Sequence, residues 1–221
     1  GYLNLMKMMS EAAIDQFYYK PRTTLDMLRR YHEGIICTSA CVQGIIPQRI
    51  QESNPADAEE WARTFQGIFG DDFYIEIQDH GLSFPSGLTD RTLDEQLVEL
   101  ARRLGIKVVA TNDVHYLRRE DASTQLYLDC IGKAVDVENT AVYHMEGTEF
   151  YLKSEDEMRA LFDWCPEACD TTLEVAAKCD FGLDWSHTYL PKFPDLREGE
   201  TSEQRLRSEC EAGLARRYGE G

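Results

Sequence analysis

Short apolar runs alternate along this chain with stretches whose apolar residues recur at helical spacing. That alternation limits the folds open to it. Gly34–Ser39, Phe73–Gln78 and Ile106–Thr111 are brief, apolar or β-branched and bounded by turn residues, as buried strands are. Between them lie helical patterns. Trp61, Phe65 and Ile68 or Phe69 mark one inner stripe, opened by Ser53-Asn54-Pro55 and stopped by Gly70. Leu93, Leu97, Leu100 and Leu104 mark another, over 92–104, stopped by Gly105. Buried strands joined through helices pair in parallel, so the fold class is α/β, an open layered sheet or a barrel. Three clear strands are too few to close a barrel.

The flanking segments read as helical. Residues 2–17 carry Tyr2, Leu5, Met9, Ala12 and Ala13 at helical spacing, and Thr24 caps a short helix bearing Leu25, Leu28 and Tyr31. A helix is expected over 119–131, and Glu149–Lys153 is a candidate strand. Ser154 with Glu157 forms a capping box for a helix to about Phe162, and another helix runs from Pro166 to about Cys179. Beyond residue 180 two prolines without periodicity suggest an ordered connector. Thr201 with Gln204 caps a polar helix over 202–217, with Leu206, Cys210 and Leu214 on one side.

The 221 residues carry 23 Lys and Arg against 40 Asp and Glu, a net charge of −17. Such acidity argues against a nucleic-acid grip by this segment alone, which needs clustered cations. Four arginine doublets (29–30, 102–103, 118–119 and 216–217) fall at or near expected helix ends, and at a helix C-terminus such cations offset the helix dipole. No apolar window is long enough to span a membrane, and no secretory signal opens the chain. A start at Gly1-Tyr2 without Met leads us to expect a piece of something longer. Seven cysteines without a disulfide framework fit a reducing cytosol.

Chemistry concentrates where the strands end. Asn112-Asp113-Val114-His115 follows the third strand, and alternation along an extended backbone would project Asp113 and His115 together as a carboxylate–imidazole metal pair. The alternative is a turn-capping Asp113 beside a half-buried His115. Cys41, after the first strand, would emerge at the same end in a parallel sheet, as a zinc thiolate or as a small buried hydrophobe. Glu76, Asp79 and His80, in and after the second strand, are candidates for lining the same site. Cys37, Cys165 and Cys169 read as packing residues, and His32, His144 and His187 as exposed. No phosphate-binding glycine loop or nucleophile elbow is present.

The same residues carry a family resemblance. Gly34-Ile35-Ile36-x-Thr38-Ser39-x-Cys41, Tyr74-x-Glu76-x-Gln78-Asp79-His80-Gly81-Leu82 and Val109-Ala110-Thr111-Asn112-Asp113-Val114-His115-Tyr116 occur in order. Glu149-Phe150-Tyr151-Leu152-Lys153-Ser154 and Leu190-Pro191-Lys192-Phe193-Pro194 follow them. Together they resemble the replicative C-family DNA polymerases of bacteria, the DNA polymerase III alpha subunits. The resemblance implies a polymerase-and-histidinol-phosphatase (PHP) domain over 1–184, a partial distorted (β/α)7 barrel lacking its N-terminal strands. Residues 185–221 would be a connector and helix leading to an absent palm domain. It implies Cys41, Asp113 and His115 as ligands of a Zn or Mn centre acting as a 3′–5′ exonuclease or phosphoesterase, with Mg serving the polymerase site elsewhere. The fragment alone would be inactive. DNA, a sliding clamp, a clamp loader and a proofreading exonuclease subunit are the implied partners, in the cytoplasm. The alternatives are a stand-alone PHP phosphoesterase and a non-catalytic PHP scaffold that docks an exonuclease.

Overall fold

A computed structural model describes residues 1–138, 147–182, 184–188, 190–191 and 193–219. His144 lies outside the described residues. The chain divides into two units, Gly1–Asp180 and Phe181–Gly221.

The first unit is built on three parallel strands, β1 (Cys37–Thr38), β2 (Phe73–Ile77) and β3 (Lys107–Ala110), in the order β1-β2-β3. Cys37 pairs with Phe73 and Thr38 with Tyr74. Tyr74 through Ile77 pair with Lys107 through Ala110. The central strand is almost wholly buried, which is why its sequence is a continuous apolar run rather than an alternation. The first strand is shorter than expected. Gly34, in the left-handed region at φ 71°, breaks the extended run, and only two residues reach the ladder.

The helices are α1 (Tyr2–Ile14), α2 (Leu25–Tyr31), α3 (Ile45–Gln51), α4 (Pro55–Phe69), α5 (Asp90–Leu104), α6 (Ala122–Lys133), α7 (Glu155–Leu161) and α8 (Pro166–Lys178). Side-chain caps fix the starts of four of them. Thr24 accepts from the Met27 amide, Asn54 from Asp57 with Pro55 in the first turn, and Ser154 forms its box with Glu157. Helix α5 begins two residues before the expected position because Thr89 and Thr92 cap one another reciprocally. Gly105 stops it in the left-handed conformation.

Helix α3 escaped sequence reading. Its Pro47 looks like a breaker, yet it sits in the first turn, where amides have no intrahelical partner to lose. On α1 the expected stripe is largely outward: Tyr2, Leu5 and Met9 are exposed, and Met8 with Ala12 face inward onto Met27. The principal core gathers Ala58, Ala62 and Phe69 of α4, Leu93, Leu97 and Leu100 of α5, and Ala168 and Cys169 of α8 around β2 and β3. Trp61 and Phe65 are half-buried at its margin. Cys165 and Cys169 are packing residues, and burial pushes the Cys165 thiol up to about 11. The expected strand at Glu149–Lys153 makes a single parallel bridge, Tyr116 to Tyr151.

In the second unit, α9 (Ser202–Tyr218) starts at a Thr201–Gln204 capping box. No described residue of α9 is buried, so Leu206 and Leu214 are exposed. Among the described residues no helix is long and apolar enough to cross a membrane.

Candidate functional site

Parallel strands place the segments after β1, β2 and β3 along one edge of the sheet. The carboxylate of Glu76 ties these segments together. Its Oε2 accepts from Thr38 Oγ1 at 2.5 Å, and its Oε1 accepts from Thr111 Oγ1 at 2.5 Å and Gln78 Nε2 at 2.7 Å. The Glu76 amide donates to Ser39 Oγ at 2.9 Å. One side chain on the middle strand thereby fixes the spacing of both neighbours.

Asp113 and His115 come together, for a reason other than strand alternation. The strand ends at Ala110, and Asp113 adopts φ 42°, in the left-handed region that Asp tolerates better than most residues. The resulting turn brings His115 Nδ1 to 2.6 Å from the Asp113 carbonyl and 4.0 Å from its carboxylate. A carbonyl only accepts, so Nδ1 carries a proton, and in the neutral ring Nε2 keeps its lone pair. This is the tautomer in which a histidine binds metal through Nε2. Both side chains are more than a third exposed and so accessible.

His80 is buried behind them. Its amide donates to Asp90 Oδ2 at 2.9 Å, its Nε2 donates to the Asn112 carbonyl at 3.1 Å, and its ring stacks on Phe150. Asp79 accepts from the Gly81 amide at 3.0 Å, a turn-forming bond within its own loop. Cys41 lines a small cleft with Glu76, Gln78 and Asp94, and neither Asp113 nor His115 lines it. Among the described residues no three His, Cys, Asp or Glu side chains are grouped closely enough to hold a metal ion.

Several residues of this edge were not singled out from sequence. Asn112 donates to the carbonyls of Glu149 and Tyr151, and Lys153 donates to Asn112 Oδ1 at 3.1 Å. Burial pulls the Lys153 ammonium below its ordinary pKa, and nearby Glu149 opposes that pull. On α5, Asp90 takes the amides of His80 and Leu82, and Asp94 takes the amide of Gln78. Burial pushes both carboxyls up, Asp94 to about 8. Each leaves one buried oxygen without a hydrogen-bond partner. Two buried acids one turn apart on an otherwise leucine-rich face are the only sequence signal that could have marked them.

Residues 1–80 match the PHP domain family. The whole chain aligns beyond that region. It is 39% identical over 219 residues to DNA polymerase III subunit alpha of Borreliella burgdorferi, covering 99% of this chain and 19% of that protein. The chain is homologous to a segment of DNA polymerase III subunit alpha. The subunit of Treponema pallidum is 37% identical over 99% of the chain and 18% of its own length. That of Thermus aquaticus is 38% identical, with the same two shares. The chain thus spans about a fifth of the length of these relatives.

Proposed function

We propose that the chain is the PHP-bearing part of a replicative DNA-directed DNA polymerase, a DNA polymerase III alpha subunit. One observation carries the reading: the similarity to that subunit continues through 99% of the chain, past the PHP match and into the segment after residue 180. Residues 1–184 would be the PHP domain, part of a distorted (β/α)7 barrel, and 185–221 the connector towards a palm domain. The division of the chain after Asp180 supports that assignment.

In the intact protein the strand-end edge would act as a metal-dependent 3′–5′ exonuclease or phosphoesterase site. Asp113 and His115 fit a Zn or Mn ion as a donor pair, given their proximity and the free Nε2. Cys41 would add a thiolate from the neighbouring segment. A bound ion there lowers the pKa of a water and stabilises charge on a phosphodiester. The protein's own residues orient the donors: the Asp113 carbonyl holds the His115 tautomer, and Glu76 fixes the spacing of the segments that carry them. An acidic segment leaves the grip on DNA to other parts of the polymerase, whose palm would use Mg. Sliding clamp, clamp loader and a proofreading exonuclease subunit are the proposed partners, in the cytoplasm.

The test is primer extension and removal of a mismatched 3′ nucleotide by the intact protein. Asp113→Ala and His115→Ala should each lower exonuclease rate by about 100-fold or more, a loss of the size that weakened metal support causes. Primer extension should change little. Unaltered exonuclease in both variants removes the ligand assignment.

The lack of a three-donor cluster among the described residues favours one second reading, a non-catalytic scaffold that docks a separate exonuclease. Metal analysis of the intact protein separates the two, because a protein free of Zn and Mn would retain only the docking role.

A further inference from the structure

The chain is strongly acidic, yet one cleft of its first unit is lined by cationic groups. A space of about 400 Å3 lies between α2 and α4, walled by Arg29, His32, Arg63 and Thr64, with Gly67 and Ile68 also lining it. Arg29 belongs to the last turn of α2, and His32 caps that helix. The His32 Nδ1 donates to the Arg29 carbonyl at 2.8 Å, leaving Nε2 as the ring's remaining polar atom.

Neither guanidinium is consumed by its carboxylate neighbour. Arg29 spends Nη1 on Asp26, whose side chain is 85% exposed, and so open an ion pair is weak and easily exchanged. Arg63 directs Nε and Nη2 to a single oxygen of Glu59, at 3.1 and 2.8 Å. The same carboxylate also accepts from Arg103 at 3.0 Å, and the hydrogen bond from Arg63 leads the effects holding its pKa below the ordinary value. One carboxylate therefore serves two guanidiniums, and Arg63 does not have Glu59 to itself.

Gly67 adds an independent indication. It lies inside α4, where glycine weakens a helix, and a Cβ built on it meets nothing within 4 Å. Packing does not demand glycine here. Its consequence is an open cleft.

We infer that this cleft is an anion site that takes a phosphate group. Two guanidiniums with unspent N–H donors match phosphate oxygens in geometry and charge, and the Thr64 hydroxyl adds a neutral donor. The phosphate could be free or part of a single-stranded nucleic-acid backbone, and the chemistry is shared.

The experiment is phenylglyoxal modification of the intact protein in phosphate-free buffer, with Arg29 and Arg63 followed by peptide mass spectrometry. Near-saturating inorganic phosphate or a single-stranded DNA oligonucleotide should slow labelling of both by at least about threefold, since occupancy removes most of the free site. Arg102 should be unaffected. Gly67→Leu fills the cleft with a good helix former and keeps every charge, so it should abolish protection while the circular dichroism spectrum is unchanged. Protection by the oligonucleotide at concentrations where inorganic phosphate is without effect assigns the backbone as the source, and protection by phosphate alone assigns a free anion. Unslowed labelling with both ligands, or protection that survives Gly67→Leu, overturns the inference.

Discussion

The imidazole of His80 lies face to face with the ring of Phe150, centroids 3.9 Å apart and planes inclined by 16°. His115 meets the same phenyl ring edge-on at 5.7 Å. One buried aromatic from a distant segment therefore sets the position of two histidines. Phe150→Ala should destabilise the intact protein by about 3–5 kcal/mol, the usual cost of truncating a buried aromatic. Phe150→Leu should cost distinctly less. Chemical denaturation of both variants checks the order, and a Phe150→Leu variant as stable as wild type would mean that ring stacking contributes nothing.

Glu76→Gln replaces a carboxylate that accepts three side-chain hydrogen bonds with an amide that accepts at one oxygen only. At least one donor among Thr38, Gln78 and Thr111 loses its acceptor. A loss of about 1–3 kcal/mol is expected. Faster amide exchange at Ser39 and Thr111 should accompany it, because their amides close the sheet at this edge by donating to Tyr74 and Ile77. Wild-type exchange at both positions would show that Glu76 does not hold the edge.

The buried Asp94 makes stability depend on pH in a stated direction. Its folded-state pKa is raised, by burial, to about 8, so the folded chain keeps a proton that the unfolded chain releases near about 3.9. Below the unfolded value both states are protonated and nothing is lost. Stability then declines as pH rises towards 8, by up to about 1.4 kcal/mol per pH unit, and levels off above it. Asp94→Asn keeps an acceptor for the Gln78 amide and does not titrate. Its stability relative to wild type should climb through this window, and a difference that stays flat with pH would refute the assignment.

Asp113 serves in two ways that substitution can separate. Asp113→Asn keeps a side chain that tolerates positive φ and should leave folding unchanged while removing the proposed ligand charge. Asp113→Val places a β-branched residue at φ 42° and should cost about 1–3 kcal/mol in strain. Thermal unfolding reports the second effect, and exonuclease assays of the intact protein report the first. A stable Asp113→Val would mean that the turn relaxes without strain.

What the sequence determined alone is local. Thr24, Asn54-Pro55, Ser154 with Glu157, and Thr201 with Gln204 announce their helices because a cap and its amide lie within three residues. The cores of β2 and β3 were legible because strands buried on both faces must be apolar throughout, whereas β1, expected to be buried, is half-buried at Cys37 and exposed at Thr38. The ordered motifs also carried the kinship. The tertiary structure alone decided which strand-end residues meet. Glu76 reaches Thr38 and Thr111, and Phe150 reaches His80, through contacts between distant segments that no periodicity encodes. Asp113 and His115 converge through a left-handed turn instead of strand alternation, and Cys41 lines a cleft with Glu76, Gln78 and Asp94. Hydrogen-bond and packing partners far apart in the chain are selected by the folded backbone's geometry, and that geometry is a property of the whole chain rather than of any short window.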